Sequence, residues 1–258
     1  MHGNPIKEAV RAGEPQFGTW INIVRNPAIL QLLKSSGLDF ARVDMEHASL
    51  NMQSLADMAL LARAIDFPIF VRPPEANREW ITRLLDAGVW NLHCPQVDTA
   101  DQAAEIVQAA YYAPMGSRGQ FGNGPANEFE TGMSMAERMA YANSQVFVTV
   151  MLETGGAFDH LEAIAAMPGI DALTLGPTDL AQDLGVYGTP DEGRVLDERR
   201  QMIIDAANRH GKTTAMLVSN EAQALKWKQA GVMLLGYSSE VGVLQEGYRR
   251  ALREIKGG

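Results

Sequence analysis

The chain holds a single cysteine, Cys94, among its 258 residues. No intramolecular disulfide can form, and a reducing cytoplasm is the compartment this composition fits. No run of about 18 apolar residues occurs, and the polar stretch from Met1 to Gln16 lacks the apolar core of a signal peptide, so neither a membrane span nor a secretory leader is expected. Basic residues are outnumbered: 22 Lys and Arg against 31 Asp and Glu leave a net charge of −9. That balance argues against a nucleic-acid or anionic-membrane partner, either of which needs a basic face. No low-complexity segment, internal repeat or inter-domain linker is present. No G-x-G-x-x-G follows the first apolar run, which removes the usual signature of an open dinucleotide-binding sheet.

What is present is an alternation. Short β-rich runs (about 17–22, 39–44, 68–72, 89–94, 146–152, 170–175, 212–217 and 232–237) are each followed by a longer amphipathic stretch. Proline or glycine closes most units, as at Gly37, Pro73-Pro74, Gly88, Pro95 and Pro168-Gly169. Eight strand–helix units of roughly 30 residues imply a parallel sheet closed into a single-domain (β/α)8 TIM barrel spanning residues 1–258. The pattern breaks once, over residues 113–145, a glycine- and proline-rich insertion of the kind that serves as a functional loop.

In such a barrel, chemistry collects at the C-terminal ends of the strands. Strand two delivers Asp44, Glu46 and His47, and strand three delivers Arg72. Strand four offers Gln96 and Asp98, strand five Glu153, and strand six Asp179 behind Gly176-Pro177-Thr178. Strands seven and eight bring Ser219, Ser238 and Ser239. Glu153 and Asp179 end consecutive strands, and two carboxylates held that close repel unless a proton or cation lies between them. A pair with open positions suits Mg²⁺ or Mn²⁺, while two helix-capping or surface carboxylates would look the same. The Gly176 turn opens a helix and is a candidate carboxylate-binding corner, or an ordinary tight turn. Arg72 is a candidate for stabilising an enolate or keto oxygen, or for a structural ion pair. His47, oriented by Asp44, is the candidate general acid/base. His2, His93, His160 and His210 read as structural, Cys94 as a buried inert thiol, and the methionines as core filler. No lysine stands at the C-terminal end of a strand, so Schiff-base chemistry is not expected.

The chain resembles the class II, metal-dependent pyruvate aldolases of the HpcH/HpaI family. The resemblance rests on Asp44-x-Glu46-His47, Val71-Arg72-Pro73, Leu84-Leu85-Asp86-x-Gly88, Pro95-x-Val97-Asp98-Thr99-Ala100, Tyr112-x-Pro114-x-Gly116-x-Arg118-Gly119, Glu153-Thr154 and Gly176-Pro177-x-Asp179-Leu180, in family order over about residues 17–255. It implies reversible aldol cleavage of a 4-hydroxy-2-oxoacid to pyruvate or hydroxypyruvate and an aldehyde, through a metal-stabilised enolate. Glu153 and Asp179 would hold Mg²⁺, Mn²⁺ or Co²⁺, and Arg72 would bind the keto oxygen beside the Gly176-Pro177-Thr178-Asp179 turn. His47, supported by Asp44 and by Asp86 from a neighbouring subunit, would handle the hydroxyl proton. The resemblance further implies a hexamer, a trimer of dimers that exchange the last helix. There are two departures: Met151 stands where the family often has Gln, which removes any polar contact made from that position, and Gln120-Phe121-Gly122-Asn123-Gly124-Pro125 replaces a run of small residues in a loop that bears on substrate choice. Pro74 and Trp90 are also atypical, with no functional meaning attached. The alternatives are an oxaloacetate decarboxylase or macrophomate-synthase-like enzyme, and a barrel that binds 2-oxoacids without turnover.

Overall fold

The computed structural model describes residues 3–256. Eight parallel strands close on themselves in sequence order. They are β1 (Gln16–Ile21), β2 (Phe40–Asp44), β3 (Ile69–Arg72), β4 (Asn91–Cys94), β5 (Phe147–Leu152), β6 (Ala172–Leu175), β7 (Thr213–Val218) and β8 (Leu234–Ser239). The expected (β/α)8 barrel is therefore the architecture observed, and no helix among the described residues is long and apolar enough to cross a membrane. Among the flanking helices are α2 (Ala28–Ser35), α3 (Met52–Ala64), α4 (Arg78–Asp86), α5 (Ala100–Ala110), α10 (Glu192–Arg209) and α11 (Glu221–Gln229), and five of the helices begin where the sequence places an Asn or Thr ahead of the run. Asn51, Asn77, Thr99, Thr154 and Asn220 each accept a hydrogen bond from a first-turn backbone N–H. Each such cap contributes about 1 kcal/mol to its helix.

Strand periodicity of two sorts the residues into an outer and an inner core. Outward residues such as Val43, Val71, Leu92, Val148 and Leu173 join the helices in one large cluster. Inward residues form a second cluster at the bottom: Phe40, Phe70, Phe147, Ala172, Ala215 and Leu234. Phe70 meets Phe40 and Phe147 edge-to-face, with ring centroids 5.2 and 5.9 Å apart. One pleat higher the same inner faces carry Arg42, His93, Thr149 and Thr174, and another pleat brings Asp44, Met151 and Ser238 to the top. The barrel is thus aromatic below, polar in the middle and ionisable at its upper rim.

The bottom is sealed by α1 (Pro5–Ala12), which the sequence reading left as a polar stretch without an element. Asn4 fixes it. Its side-chain oxygen caps Ile6 N–H at 3.1 Å, and its amide nitrogen donates to Asn91 Oδ1 at 2.8 Å and to the Gln145 carbonyl at 2.7 Å. Ile6 then enters the phenylalanine layer fully buried. Two further differences are local. The insertion at 113–145 contains α6 (Met135–Gln145), started by a Ser134–Glu137 capping box, and a single 3-10 turn at Pro125–Asn127. The helix expected over 157–167 is broken at His160 into α7 (Gly155–Asp159) and α8 (Leu161–Ala166).

The last helix, α12 (Glu240–Lys256), touches the barrel through β1 and β8, and among its side chains only Glu240 is buried. Val243, Leu244, Tyr248, Leu252 and Ile255 are all exposed along it.

If α1 is an integral plug, Ile6→Ala should lower unfolding free energy by roughly 2–4 kcal/mol, the cost of emptying a buried aliphatic site. Denaturant titration checks this, and a loss below about 1 kcal/mol would mean the plug is dispensable.

Candidate active site

The register between β2 and β3 sets Asp44 directly beside Arg72. Their side chains meet in a two-pronged ion pair: Nε donates to Oδ1 at 3.0 Å and Nη2 to Oδ2 at 2.8 Å. The third face of the guanidinium group is taken by Glu46, with Nη1 3.0 Å from Oε2. Its guanidinium carbon lies over the Trp20 ring, 4.7 Å from the centroid. Two carboxylates and one indole therefore lock Arg72, and such bidentate geometry carries orientation as well as energy. Three of its five N–H groups are used, so two remain for a ligand.

Asp44 does a second job. Its Oδ1 also accepts the backbone N–H groups of Glu46 (3.0 Å) and His47 (3.3 Å), which fixes the turn after β2. The sequence reading has Asp44 orienting the His47 imidazole; the structure instead spends both Asp44 oxygens on Arg72 and the turn. The carboxylate beside the ring is that of Glu46, with Oε2 3.5 Å from His47 Nε2. Glu46, which had no assigned role, thus connects Arg72 and His47, and it also accepts from Gln96 Nε2 at 3.2 Å. Burial raises its pKa, a shift that Arg72 and His47 oppose and that Asp44 and Asp179 reinforce. His47 itself is exposed at the lip of the pocket.

Glu153 sits just past β5 and is 3% exposed. Its Oε1 accepts the Gln96 backbone N–H at 2.6 Å, while Oε2 has no partner. Two local features make the place. Gln96 adopts a left-handed φ of 55°, a conformation that costs a non-glycine residue about 1–3 kcal/mol. Gly176 lacks the Cβ that would otherwise stand 2.2 Å from Glu153 Oε2. Asp179, in the first turn of α9 (Pro177–Asp183), is exposed and close enough to act on Glu153 through its charge. Burial, with the negative charges of Asp179 and Glu46, raises the Glu153 carboxyl to about 7, and the Gln96 hydrogen bond offsets only part of this. Among the described residues no three His, Cys, Asp or Glu side chains close around a metal-sized space. What Glu153 presents is one buried, unpartnered carboxylate oxygen, within the field of the exposed Asp179.

A pocket of about 480 Å³ opens at the top of the barrel, with Glu46 and Glu153 behind its wall rather than in it. Asp44, His47, Arg72, Gly176, Pro177, Thr178, Asp179, Ser219, Ser238 and Ser239 all contribute to its wall. The Gly176 N–H is already bonded to the Leu152 carbonyl at 3.2 Å, so that amide is not available to a ligand. Asp86 is not among the wall residues. It ends α4 (Arg78–Asp86) and pairs with Arg118 at 2.7 Å, beside Tyr112 and Phe121. Within one chain it does not reach the pocket.

The sequence reading missed several wall residues. Trp20 and Asn22 come from β1 and the loop after it. That loop is held by Glu240 of α12, whose Oε1 accepts the N–H groups of Asn22 and Ile23 at 2.7 Å and of Val24 at 3.3 Å. Arg42 and His93 form part of the floor. His93, read as structural, is buried edge-on to Trp20, and burial together with Arg42 and Arg72 holds its pKa well below the ordinary value. Cys94 matches its expectation: it is buried, and burial raises its thiol to about 12.

The chain is similar to several known proteins. Residues 16–243 match the model of the HpcH/HpaI aldolase/citrate lyase family. A 5-keto-4-deoxy-D-glucarate aldolase of Klebsiella pneumoniae is 31% identical over 98% of this chain and 97% of its own length. A hydroxypyruvate/pyruvate aldolase of Chromohalobacter salexigens is 32% identical over 98% of each. The crystal structure of an HpcH/HpaI aldolase from Desulfitobacterium hafniense superposes with a TM-score of 0.91 at 30% identity, covering 97% of this chain and 96% of that one.

The raised Glu153 carboxyl makes a prediction about metal-free protein. Its folded pKa of about 7 exceeds the ordinary 4.5, so its contribution to stability is complete below pH 4.5 and is lost as the pH rises to about 7. Unfolding free energy in EDTA should fall by on the order of 3 kcal/mol across that window in the wild type. Glu153→Gln should abolish the fall; an unchanged pH profile would refute the assignment.

Proposed function

The chain belongs to the HpcH/HpaI aldolase/citrate lyase family, and from that premise we propose that it is a metal-dependent carbon–carbon lyase. Its reaction is the reversible aldol cleavage of a 4-hydroxy-2-oxoacid to pyruvate or hydroxypyruvate and an aldehyde. The observation that carries this reading is the division of labour at one rim. Arg72 is neutralised and fixed by Asp44 and Glu46, while Asp179 lines the pocket and Glu153, coupled to it through their charges, keeps one buried oxygen unpartnered.

A divalent ion fits that pair. The unpartnered Glu153 oxygen, the space kept by Gly176 and the all-oxygen donor set suit Mg²⁺, Mn²⁺ or Co²⁺ with positions left for water or substrate. Such an ion supplies Lewis acidity toward a 2-oxo acid. The chain's own groups do the rest. The two free N–H groups of Arg72 stabilise negative charge as it develops on the keto oxygen. His47, at the open lip, accepts the proton of the C4 hydroxyl, directly or through water, as the C3–C4 bond breaks. In the addition direction it returns that proton. Glu46, beside the imidazole, ties the proton step to the Arg72 network. Met151, inward on β5, adds an apolar surface to the pocket wall.

The same reading assigns the exposed apolar side of α12 to a neighbouring copy, and Asp86 to a neighbour's pocket, in a hexamer of exchanged pairs. Light scattering on the purified protein tests the assembly; a monodisperse monomer would contradict it.

Activity is tested by an aldol screen of pyruvate and hydroxypyruvate against short, sugar-like and aromatic aldehydes. EDTA should abolish turnover, and Mg²⁺ or Mn²⁺ should restore it. Glu153→Ala should neither bind metal nor turn over, and a metal-free Glu153→Ala protein that still makes aldol product ends the mechanism. Arg72→Lys keeps the charge but loses the fork, and it should cost about 10²–10³-fold in kcat. Borohydride should trap no substrate.

A further inference from the structure

Among the described residues three arginines are buried: Arg42, Arg118 and Arg200. Arg118 is paired with Asp86 and Arg200 with Asp197. Arg42 has no carboxylate partner, and its Nε and Nη2 make no hydrogen bond. Burial lowers its pKa only to about 9, so it carries its charge at neutral pH. What surrounds it is aromatic: its guanidinium carbon lies 5.0 Å from the Phe40 ring centroid, 5.6 Å from Phe70 and 5.9 Å from Trp20. Ring faces offset part of the cost of such burial, but they leave the donors unmet.

The position is built for this side chain. A Cβ on Gly236 of β8 would stand 2.2 Å from Arg42 Nη1, so only glycine there lets the guanidinium cross beneath Trp20. Arg42 stands two residues before Asp44 on the same strand face, which sets it about 7 Å deeper than the rim. Its neighbours at that depth share its deficit. Trp20 Nε1, His93 Nδ1 and Thr149 Oγ1 all lack partners, and Thr149 is the register partner of His93. None is an anion, and each can donate. Arg42, Trp20 and His93 belong to the wall of the same pocket as Arg72.

We propose that Arg42, with Trp20 and His93 around it, is a second anion subsite in the floor of the pocket. It takes a small anion, either the distal carboxylate of a dicarboxylic 2-oxo acid or a free ion such as chloride or hydrogencarbonate. Its placement beneath the rim separates it from Arg72, whose charge Asp44 and Glu46 already balance. The carboxylate alternative rests on the lyase reading above; the free-ion alternative does not.

The test has two arms. In the first, crystals of the EDTA-treated wild type are soaked in bromide and the anomalous signal is mapped, while ³⁵Cl line broadening is measured in solution for the wild type, Arg42→Met and Arg42→Lys. A bromide peak against the Arg42 guanidinium, with chloride broadening weakened roughly 30-fold in Arg42→Met and partly kept in Arg42→Lys, supports the subsite. Bromide found only elsewhere, with equal broadening in wild type and Arg42→Met, overturns it; the bromide map needs no variant to fold. In the second arm, Mg²⁺-loaded protein is titrated with oxaloacetate and with pyruvate. Tighter oxaloacetate binding that disappears in Arg42→Met identifies a substrate carboxylate as the occupant. Equal binding of both, with the bromide peak present, identifies a free ion. A wild type that fails every aldol assay yet shows the bromide peak ends the lyase reading and keeps the subsite; an active enzyme without the peak does the reverse.

Discussion

Four carboxylates, Asp44, Glu46, Glu153 and Asp179, converge on one rim of the barrel, and their mutual repulsion is the constraint the rest of the site answers. Arg72 answers for two of them. It can do so because β2 and β3 pair with Asp44 beside Arg72, and because Trp20 supports the guanidinium plane from β1. Glu153 and Asp179 are left over. Their field and the burial of Glu153 raise its carboxyl to about 7, the mark of a site that needs a cation or a proton to be at rest. The strained backbone at Gln96 and the missing side chain at Gly176 hold the carboxylate in that position.

The depth of the barrel interior matters as much as its rim. A phenylalanine layer and α1 close the bottom, so nothing drains from the pocket downward and the middle layer has a low-dielectric floor. Arg42 lies on that floor without a counter-charge. An isolated buried ion costs several kcal/mol, and three aromatic rings within 6 Å recover about 0.5–2 kcal/mol each. A chain that keeps such a residue, and keeps Gly236 to make space for it, retains a positive potential beneath a site that binds anions.

Much of this was legible in the residue order, for identifiable reasons. Parallel strands buried on both faces read as short apolar runs, and Asn or Thr caps mark the helix starts, so the eight units and the closed barrel follow directly. The rim residues follow from the same logic, since each stands just past an apolar run. The parts that did not come through depend on side-chain direction or long-range contact. α1 is short and its partners, Asn91 and Gln145, are far away in sequence, although Asn4-Pro5 and the Ile6, Ala9, Val10 spacing are a helix signal. The residue sequence shows an arginine inside Phe40-Ala41-Arg42-Val43, but period two alone does not say that this arginine faces inward over Phe40. Asp44 and His47 are close in sequence, which suggested a side-chain pairing. The turn instead aims Asp44 across at β3 and leaves the imidazole to Glu46.

The central claim is that this rim labilises the proton next to a 2-oxo acid's keto group through a divalent ion held by Glu153 and Asp179. Proton NMR of pyruvate in deuterium oxide, with enzyme and no aldehyde, tests it most directly. The account predicts loss of the methyl signal at a rate proportional to enzyme when Mg²⁺ or Mn²⁺ is present, and no loss in EDTA. Exchange that persists in EDTA, or no exchange under any metal, would contradict it.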